Sequence, residues 1–172
     1  PATWNALFWI ITLFSSFNAV AKSFMLESKN RQIYYYTLLS PQAVIISKSS
    51  YNFILLSVLS LISLLFYSIF IGNPIQDMPV FILTILLGSA GLSFVLTLVS
   101  AIASKSNGSP ALMAVLSMPL IIPLLITLIR LSKNAMDGLD RSVNTQYILL
   151  LLAINLLTLA LSYLLFPYLW RE

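Results

Sequence analysis

Five long apolar stretches constrain this chain more than any other feature of its sequence. A helix needs about 20 mostly apolar residues to cross a hydrocarbon core of about 30 Å, and each stretch is of that order and ends at polar or turn residues. A strand of a membrane barrel would alternate apolar and polar residues, whereas residues 148–157 are apolar at every position except Asn155. The sequence therefore predicts five transmembrane helices, over residues 4–21, 51–71, 80–102, 111–129 and 147–169.

The composition indicates an all-α integral membrane protein with a single transmembrane domain over residues 1–172. Hydrophobic residues make up 59% of the chain and charged residues 8%, and the mean hydropathy is +0.96. A domain of this size exposes too much surface to hide so many apolar side chains in its own core. Its surroundings must therefore be lipid. The Lys and Arg residues are spread between the apolar stretches and form no basic block of the kind that binds nucleic acid.

The residue types that are missing exclude most enzyme classes. The chain has no Cys and no His, so thiolate and imidazole ligands are impossible. Its five glycines form no Gly-x-x-x-x-Gly-Lys phosphate loop. No charged residue lies deep in a predicted span, so the ion sites usual in secondary transporters have no candidate. We therefore predict no catalytic, cofactor-binding or metal-binding residue in this chain.

The distribution of Lys and Arg predicts which ends of the helices face the cytoplasm. Gaps on one side of the membrane carry six of these residues, and gaps on the other side carry three, all within residues 130–146. The positive-inside rule assigns the richer side to the cytoplasm. We call this the inner side and the opposite one the outer side. The chain starts at Pro1 and not at a Met, and we expect that its natural start is missing.

Residues 22–50 form the long cytoplasmic segment of this topology. Aromatic and leucine side chains four residues apart indicate a short helix at the membrane surface, and Ser40 followed by Pro41 predicts the cap and first turn of a new helix. Two interpretations stay open: docking of a cytoplasmic partner, or an amphipathic loop that rests on the headgroups. For the docking interpretation the candidate coupling residues are Glu27, Arg31, Tyr34, Tyr35, Tyr36, Leu39, Ser40 and Pro41.

Small residues recur in the third apolar stretch and predict close helix packing. Ser89, Ser93 and Thr97 are spaced four residues apart, beside Gly88 and Gly91. Small residues let helix backbones approach closely in lipid. Packing within the bundle and a seam between two copies both fit this pattern, and packing within the bundle is favoured.

Two prolines in the fourth stretch predict an irregular helix. Pro119 and Pro123 each remove a backbone donor and clash with the preceding turn. We expect this helix to be bent or broken, either as a hinge or as a static kink. On its outer side, residues 130–146 mix apolar and charged side chains, and we expect a partly re-entrant or surface-lying segment there.

A few polar and aromatic side chains have predicted structural roles. Asn18 and Asn155 are identified as the strongly polar residues at depth, with interhelical hydrogen bonds as their expected use. The aromatic residues at the ends of the first and last stretches are typical of interfacial belts. These belt residues are Trp4, Trp9, Tyr147, Tyr163, Tyr168 and Trp170.

Over nearly its whole length the sequence resembles the CcmB family, also called haem exporter protein B, which is the membrane component of the cytochrome c maturation ABC transporter. The most specific matches are residues 85–94 (ILLGSAGLSF) and 118–126 (MPLIIPLLI), supported by residues 38–41 (LLSP) and Ser47-Lys48. In the first cytoplasmic loop, where the family often has an acidic-glycine stretch, this chain has Asn30 and three successive tyrosines.

The resemblance implies a type-2 ABC exporter architecture with six transmembrane helices, of which this chain would lack the first. It implies a homodimer of this permease on two copies of a separate ATPase, which would hold the ATP and Mg. It further implies a haem-handling membrane protein, a small membrane peptide and a periplasmic haem chaperone as partners, with haem on those partners. The expected location is the inner membrane of a bacterium.

Three other functions remain open from the sequence. A permease that exports a drug, a polysaccharide or a lipid would have the same composition. A passive scaffold would have no coupling to ATP. An intramembrane enzyme would need a positioned nucleophile and base, and the hydroxyl groups in the spans have no base beside them.

Overall fold

A computed structural model describes residues 2–21, 34, 38–105 and 110–171. These residues form five α-helices and no β-strand, which confirms the all-α prediction. In chain order the helices are α1 (Ala2–Ala21), α2 (Pro41–Ile71), α3 (Met78–Lys105), α4 (Pro110–Asp137) and α5 (Arg141–Arg171).

Four of these helices, α2 to α5, are long and apolar enough to cross a membrane. The first helix is shorter, at 20 residues, and is not among those four. The multi-pass membrane fold is thereby confirmed, while a membrane crossing by α1 stays a prediction.

Local chain chemistry explains where α2 begins and ends. Ser40 has extended backbone angles (φ −73°, ψ 149°) and its side chain accepts a hydrogen bond from Ala43 N, while Pro41 occupies the first turn. At the other end Gly72 has φ +103°, which only glycine adopts readily. The predicted helix start at Ser40 and Pro41 is confirmed.

The expectation of a re-entrant or surface-lying segment over residues 130–146 is wrong. Helix α4 continues to Asp137, so Arg130 and Lys133 extend its exposed face beyond the apolar stretch. Gly138, at φ +68°, then turns the chain, and α5 starts at Arg141. Leu131, Ala135 and Met136 of this stretch are buried in the bundle, so tertiary packing stabilises the helix through the polar sequence.

Helix α3 is the centre of the bundle and contacts each of the other four helices. In its most apolar 18-residue stretch, 72% of the residues are buried, against 33% in α4 and 22% in both α2 and α5. Helices α2, α4 and α5, which surround α3, consequently present most of their apolar side chains to the surroundings, as expected for a bundle in lipid.

An aromatic cluster fixes α1 at the outer end of the bundle. Trp4 and Phe8 stack with ring centroids 5.8 Å apart, and both contact Tyr67 of α2 and Phe81 of α3. Trp9 packs edge-on against Phe8. The prediction that Trp4 and Trp9 belong to an interfacial belt is therefore wrong, because both are buried against other helices.

The aromatic residues of α5 are placed differently. Tyr163 and Tyr168 are exposed, as belt residues would be, and Tyr147 is half-buried. The side chain of Trp170 lies outside the described part of the chain.

Candidate functional site

The inner end of α2 is the described part of the predicted coupling segment. Ser40 Oγ accepts from Ala43 N at 3.3 Å, and Ser40 O accepts from Val44 N at 3.2 Å. Tyr34, Leu38 and Leu39 are exposed large side chains just before this cap. The predicted coupling residues Glu27, Arg31, Tyr35 and Tyr36 lie outside the described residues.

The cap connects the candidate coupling segment directly to a long helix. Helix α2 has 31 residues, which corresponds to roughly 46 Å at about 1.5 Å per residue. It is therefore long enough to cross the bilayer between the cap at Ser40, on the predicted inner side, and the turn at Gly72, on the predicted outer side. There, Trp4 Nε1 of α1 donates a hydrogen bond to Gly72 O at 3.0 Å.

Two buried hydrogen bonds join the inner half of α2 to the central helix. Ser93 Oγ donates to Ser49 O at 2.7 Å, and Asn52 Nδ2 donates to Thr97 Oγ1 at 2.9 Å. Ser93 and Thr97 are thus used for contacts inside one chain. Asn52 lies in the second apolar stretch, and the sequence analysis missed it as a buried polar residue, although an amide in such a stretch needs a partner in lipid.

The glycines of α3 allow three other helices to come close. A Cβ at Gly88 would lie 2.9 Å from the Trp9 ring of α1 and 3.1 Å from Leu128 of α4. A Cβ at Gly91 would lie 2.8 Å from both Asn155 Oδ1 of α5 and Leu124 of α4.

The small-residue stripe is therefore occupied by the chain's own helices. Ser89, between these glycines, is buried, and its hydroxyl has no hydrogen-bond partner among the described residues. The arrangement favours packing within the bundle over a seam between copies.

A polar network connects α1 to α4. Ser132 Oγ accepts a hydrogen bond from Trp9 Nε1 at 2.9 Å and lies within donating distance of Asn5 Oδ1, at 2.8 Å. Asn5 Nδ2 in turn donates to Ile129 O at 3.1 Å. Asn5 and Ser132 were not predicted as polar residues at depth, because Asn5 is close to the end of its stretch and Ser132 lies beyond the end of the fourth stretch.

The two asparagines that were predicted to bond between helices have different environments. Asn155 Nδ2 donates to Leu87 O of α3 at 3.2 Å, which confirms its predicted use. Asn18 is exposed on α1, so the expectation of an interhelical hydrogen bond within the described bundle is wrong for Asn18. It lies one turn from the inner end of α1, where headgroups can solvate an amide.

The two prolines of α4 lie within one uninterrupted helix. Pro119 and Pro123 are both exposed, on the face of the helix that points away from the bundle. Thr127 Oγ1 donates to Pro123 O at 2.9 Å, one turn back along the same helix. The helix is not broken at either proline, so the expectation of a broken helix is wrong.

An ion pair connects the outer ends of α3 and α5. Arg141 Nε and Nη2 donate to the two carboxylate oxygens of Asp77 at 3.2 and 3.3 Å. Asp77 N also donates to Ala135 O of α4 at 2.9 Å. The turn before α3 packs closely against the turn before α5. A Cβ added at Gly138 would lie only 2.5 Å from Gln76 Oε1.

Within the described ranges, no group of three or more carboxylate, Cys or His residues could hold a metal ion. The polar side chains that face one another in the bundle are hydroxyls, amides and an indole, which form hydrogen bonds between helices. Among the described residues these contacts hold neighbouring helices together.

Comparison with known proteins identifies the family. No curated protein and no solved structure matches the chain. The family model described as CcmB protein matches residues 3–169, which is nearly the whole chain. The chain therefore belongs to the CcmB family, whose members are membrane subunits of the ABC transporter of cytochrome c maturation.

Proposed function

We propose that this chain couples ATP hydrolysis by a separate cytoplasmic ATPase to the handling of haem on the outer side of the membrane. Two copies of this chain would stand on two copies of the ATPase in a bacterial inner membrane. The match of the CcmB family model to residues 3–169 is the single observation that carries the proposal.

The geometry of α2 supports a path for this coupling. The candidate coupling segment ends at the Ser40 cap, so a displacement of that segment acts directly on the inner end of α2. Helix α2 is hydrogen-bonded to α3 through Ser49 and Asn52 in its inner half, and to α1 through Gly72 at its outer end. A tilt of α2 at the inner side would therefore reach the outer turn without an intervening loop.

The chemistry of the chain supports haem and ATP on partner proteins. Haem iron is usually held by His, Cys or Met with a second strong ligand, and this chain has neither His nor Cys. It also lacks a phosphate loop, so ATP and Mg belong on the ATPase. The partners would be that ATPase, a haem-handling membrane protein, a small membrane peptide and a periplasmic haem chaperone.

For the output of the cycle we favour release of the haem-loaded chaperone over movement of haem through this chain. Buried amides such as those of Asn52 and Asn155 form hydrogen bonds between helices of the bundle. Release needs only a change of shape at the outer side, which a tilt of α2 and the turn at Gly72 would supply.

The test is to purify the ATPase complex with and without this chain and to measure its ATP hydrolysis, while haem attachment to c-type cytochromes is followed in cells. We expect the hydrolysis rate to depend on this chain, and cells without it to lose haem-loaded c-type cytochromes. Unchanged hydrolysis together with normal haem attachment would refute the proposal. Loss of export of another compound, with normal cytochromes, would favour a permease for a different substrate.

A further inference from the structure

One exposed face of α4 carries apolar and charged side chains in a definite order. Ile122, Ile126, Arg130, Lys133 and Asp137 are all exposed, and steps of three or four residues place them in one line along the helix. We call these five residues the α4 charged face. Towards the outer end of the helix, this face is first apolar, then cationic over two residues, and finally anionic.

Hydrogen bonds to the neighbouring helices fix the level of these charges in the bundle. Asn5, in the first turn of α1, donates to Ile129 O of α4, so the adjacent Arg130 is level with the outer end of α1. Trp4, next to Asn5, donates to Gly72 O, where α2 ends. Arg130 therefore lies at the rim where the apolar parts of α1, α2 and α4 end together, which is the level of lipid headgroups.

The bundle itself does not use these charges. Arg130, Lys133 and Asp137 form no ion pair and no side-chain hydrogen bond within the part of the chain that the structure describes, unlike Arg141 and Asp77, which pair with each other. Lys133 precedes Asp137 by four residues, which is the weaker order for an ion pair along a helix. Asp137 is also the last residue of α4, where the helix dipole disfavours a carboxylate. Helix stability therefore gives no reason for an acid at this position.

The order of the charges is complementary to one class of lipid headgroup. In phosphatidylethanolamine the acyl chains lead to an anionic phosphate, and the phosphate leads outward to a primary amine. Guanidinium and ammonium groups bind phosphate oxygens, and a protonated amine donates to a carboxylate. Lys133 and Asp137 lie about 5 and 10 Å beyond Arg130 along the helix, at about 1.5 Å per residue. Phosphatidylglycerol offers the phosphate but no cation for Asp137, and the quaternary amine of phosphatidylcholine has no N–H to donate.

We propose that the α4 charged face binds a phosphatidylethanolamine molecule of the outer leaflet. Arg130 and Lys133 hold its phosphate, Asp137 accepts hydrogen bonds from its amine, and an acyl chain lies along Ile122 and Ile126. The site goes beyond the proposed function and does not depend on it, because the ligand comes from the bilayer and neither the ATPase nor haem takes part. It gives the end of the bundle opposite the candidate coupling segment a preference for one lipid.

The first experiment measures lipid binding to the full chain in detergent by native mass spectrometry. Phosphatidylethanolamine, phosphatidylcholine and phosphatidylglycerol with the same acyl chains are titrated separately. We expect phosphatidylethanolamine to bind about fivefold more tightly than either of the others, which is the effect of one exposed charge pair. Equal binding of the three lipids would overturn the proposal, because the order of charges would then select no headgroup.

The second experiment assigns the two parts of the headgroup with single substitutions. Asp137→Asn should remove the preference for phosphatidylethanolamine and leave the binding of phosphatidylglycerol no weaker. Arg130→Gln should weaken the binding of all three lipids, because each carries the phosphate. The matched control is Asp140→Asn, which changes an exposed carboxylate in the turn after α4 and should leave the preference intact. All three positions are exposed, so the unfolding midpoints measured without lipid should agree with that of the unmodified chain.

Three further results would contradict the proposal. A preference for phosphatidylethanolamine that survives Asp137→Asn would place the amine elsewhere on the chain. Tightest binding of phosphatidylglycerol would show a site for anionic lipid that uses the two cations alone. In the purified complex with the ATPase, loss of lipid on Asp137→Asn should persist, and its absence there would show that a partner protein covers this face.

Discussion

Helices α3 and α5 are almost equally apolar, yet they have opposite positions in the bundle. In the most apolar stretch of α3, 72% of the residues are buried, and in that of α5 only 22% are. The difference lies in the small and hydroxyl residues of α3, where Gly88, Gly91 and Ser93 together meet all four other helices. Hydropathy therefore identifies a membrane span, whereas the distribution of small residues decides which span becomes the centre.

The largest loss of stability should come from replacing a small residue by Leu in α3, whereas the same kind of replacement in α5 should have little effect. Gly88→Leu would drive a side chain into the rigid ring of Trp9, at 2.9 Å from the Cβ position, and into Leu128. We expect a loss of about 3 kcal/mol of stability or more. Ala160→Leu, on the exposed face of α5, should change stability by less than about 0.5 kcal/mol. Equal effects in thermal or denaturant unfolding would break the comparison between the two helices.

A second comparison uses two asparagines on α1. Asn5→Leu removes the bonds to Ser132 and Ile129 O and leaves their polar groups without this partner, so we expect a loss of about 1 to 3 kcal/mol. Asn18→Leu changes an exposed side chain and should leave stability nearly unchanged. Unfolding in the same detergent measures both variants. A large loss for Asn18→Leu alone would show that the polar network with α4 does not hold α1.

The contact between α2 and α3 should show a smaller energy. A double-mutant cycle with Asn52→Ala and Thr97→Val isolates the 2.9 Å bond between these side chains, and side-chain hydrogen bonds in membranes average about 0.6 kcal/mol. The matched control is Thr158→Val in α5, whose hydroxyl bonds within its own helix to Ile154 O. A coupling energy near zero would mean that this bond does not join the two helices.

The ion pair at the outer surface should have the smallest effect. Arg141→Gln removes the bonds to Asp77, and because the arginine is 70% exposed the cost should stay below about 1 kcal/mol and shrink further in high salt. Lys133→Gln, which changes an exposed cation on α4, is the control. An effect above that of Asn5→Leu, independent of salt, would show that the outer turns contribute more than the core.

The features that the sequence predicts correctly are local or periodic. The apolar stretches, the helix start at Ser40 and Pro41 and the packing role of Asn155 all follow from residue type and spacing. The environments of Trp9 and Asn18 could not be predicted, since both depend on which face of α1 meets the bundle. Gly88 signals a close approach, but only the fold shows that the approaching group is an indole.

The helix cap at Ser40 and the continuity of α4 show the same contrast between local and tertiary features. The cap at Ser40 is a property of four neighbouring residues, and it could be derived without any tertiary contact. The continuity of α4 through Pro119 and Pro123 was not expected, because proline's local clash argues against it. In lipid, neighbouring helices and local adjustments of the helix can compensate the lost backbone bonds.

The central claim is that residues before the Ser40 cap receive the ATPase and that α2 transmits its motion. The most direct measurement is the amount of ATPase that co-purifies with the triple variant Tyr34→Ala, Tyr35→Ala, Leu39→Ala. The matched control is Phe70→Ala, an exposed aromatic residue at the outer end of α2. We predict that the triple variant weakens docking by about 1 to 3 kcal/mol for the central side chain, with loss of haem attachment to c-type cytochromes, while Phe70→Ala retains the ATPase. Full retention of both the ATPase and haem attachment by the triple variant would contradict the account.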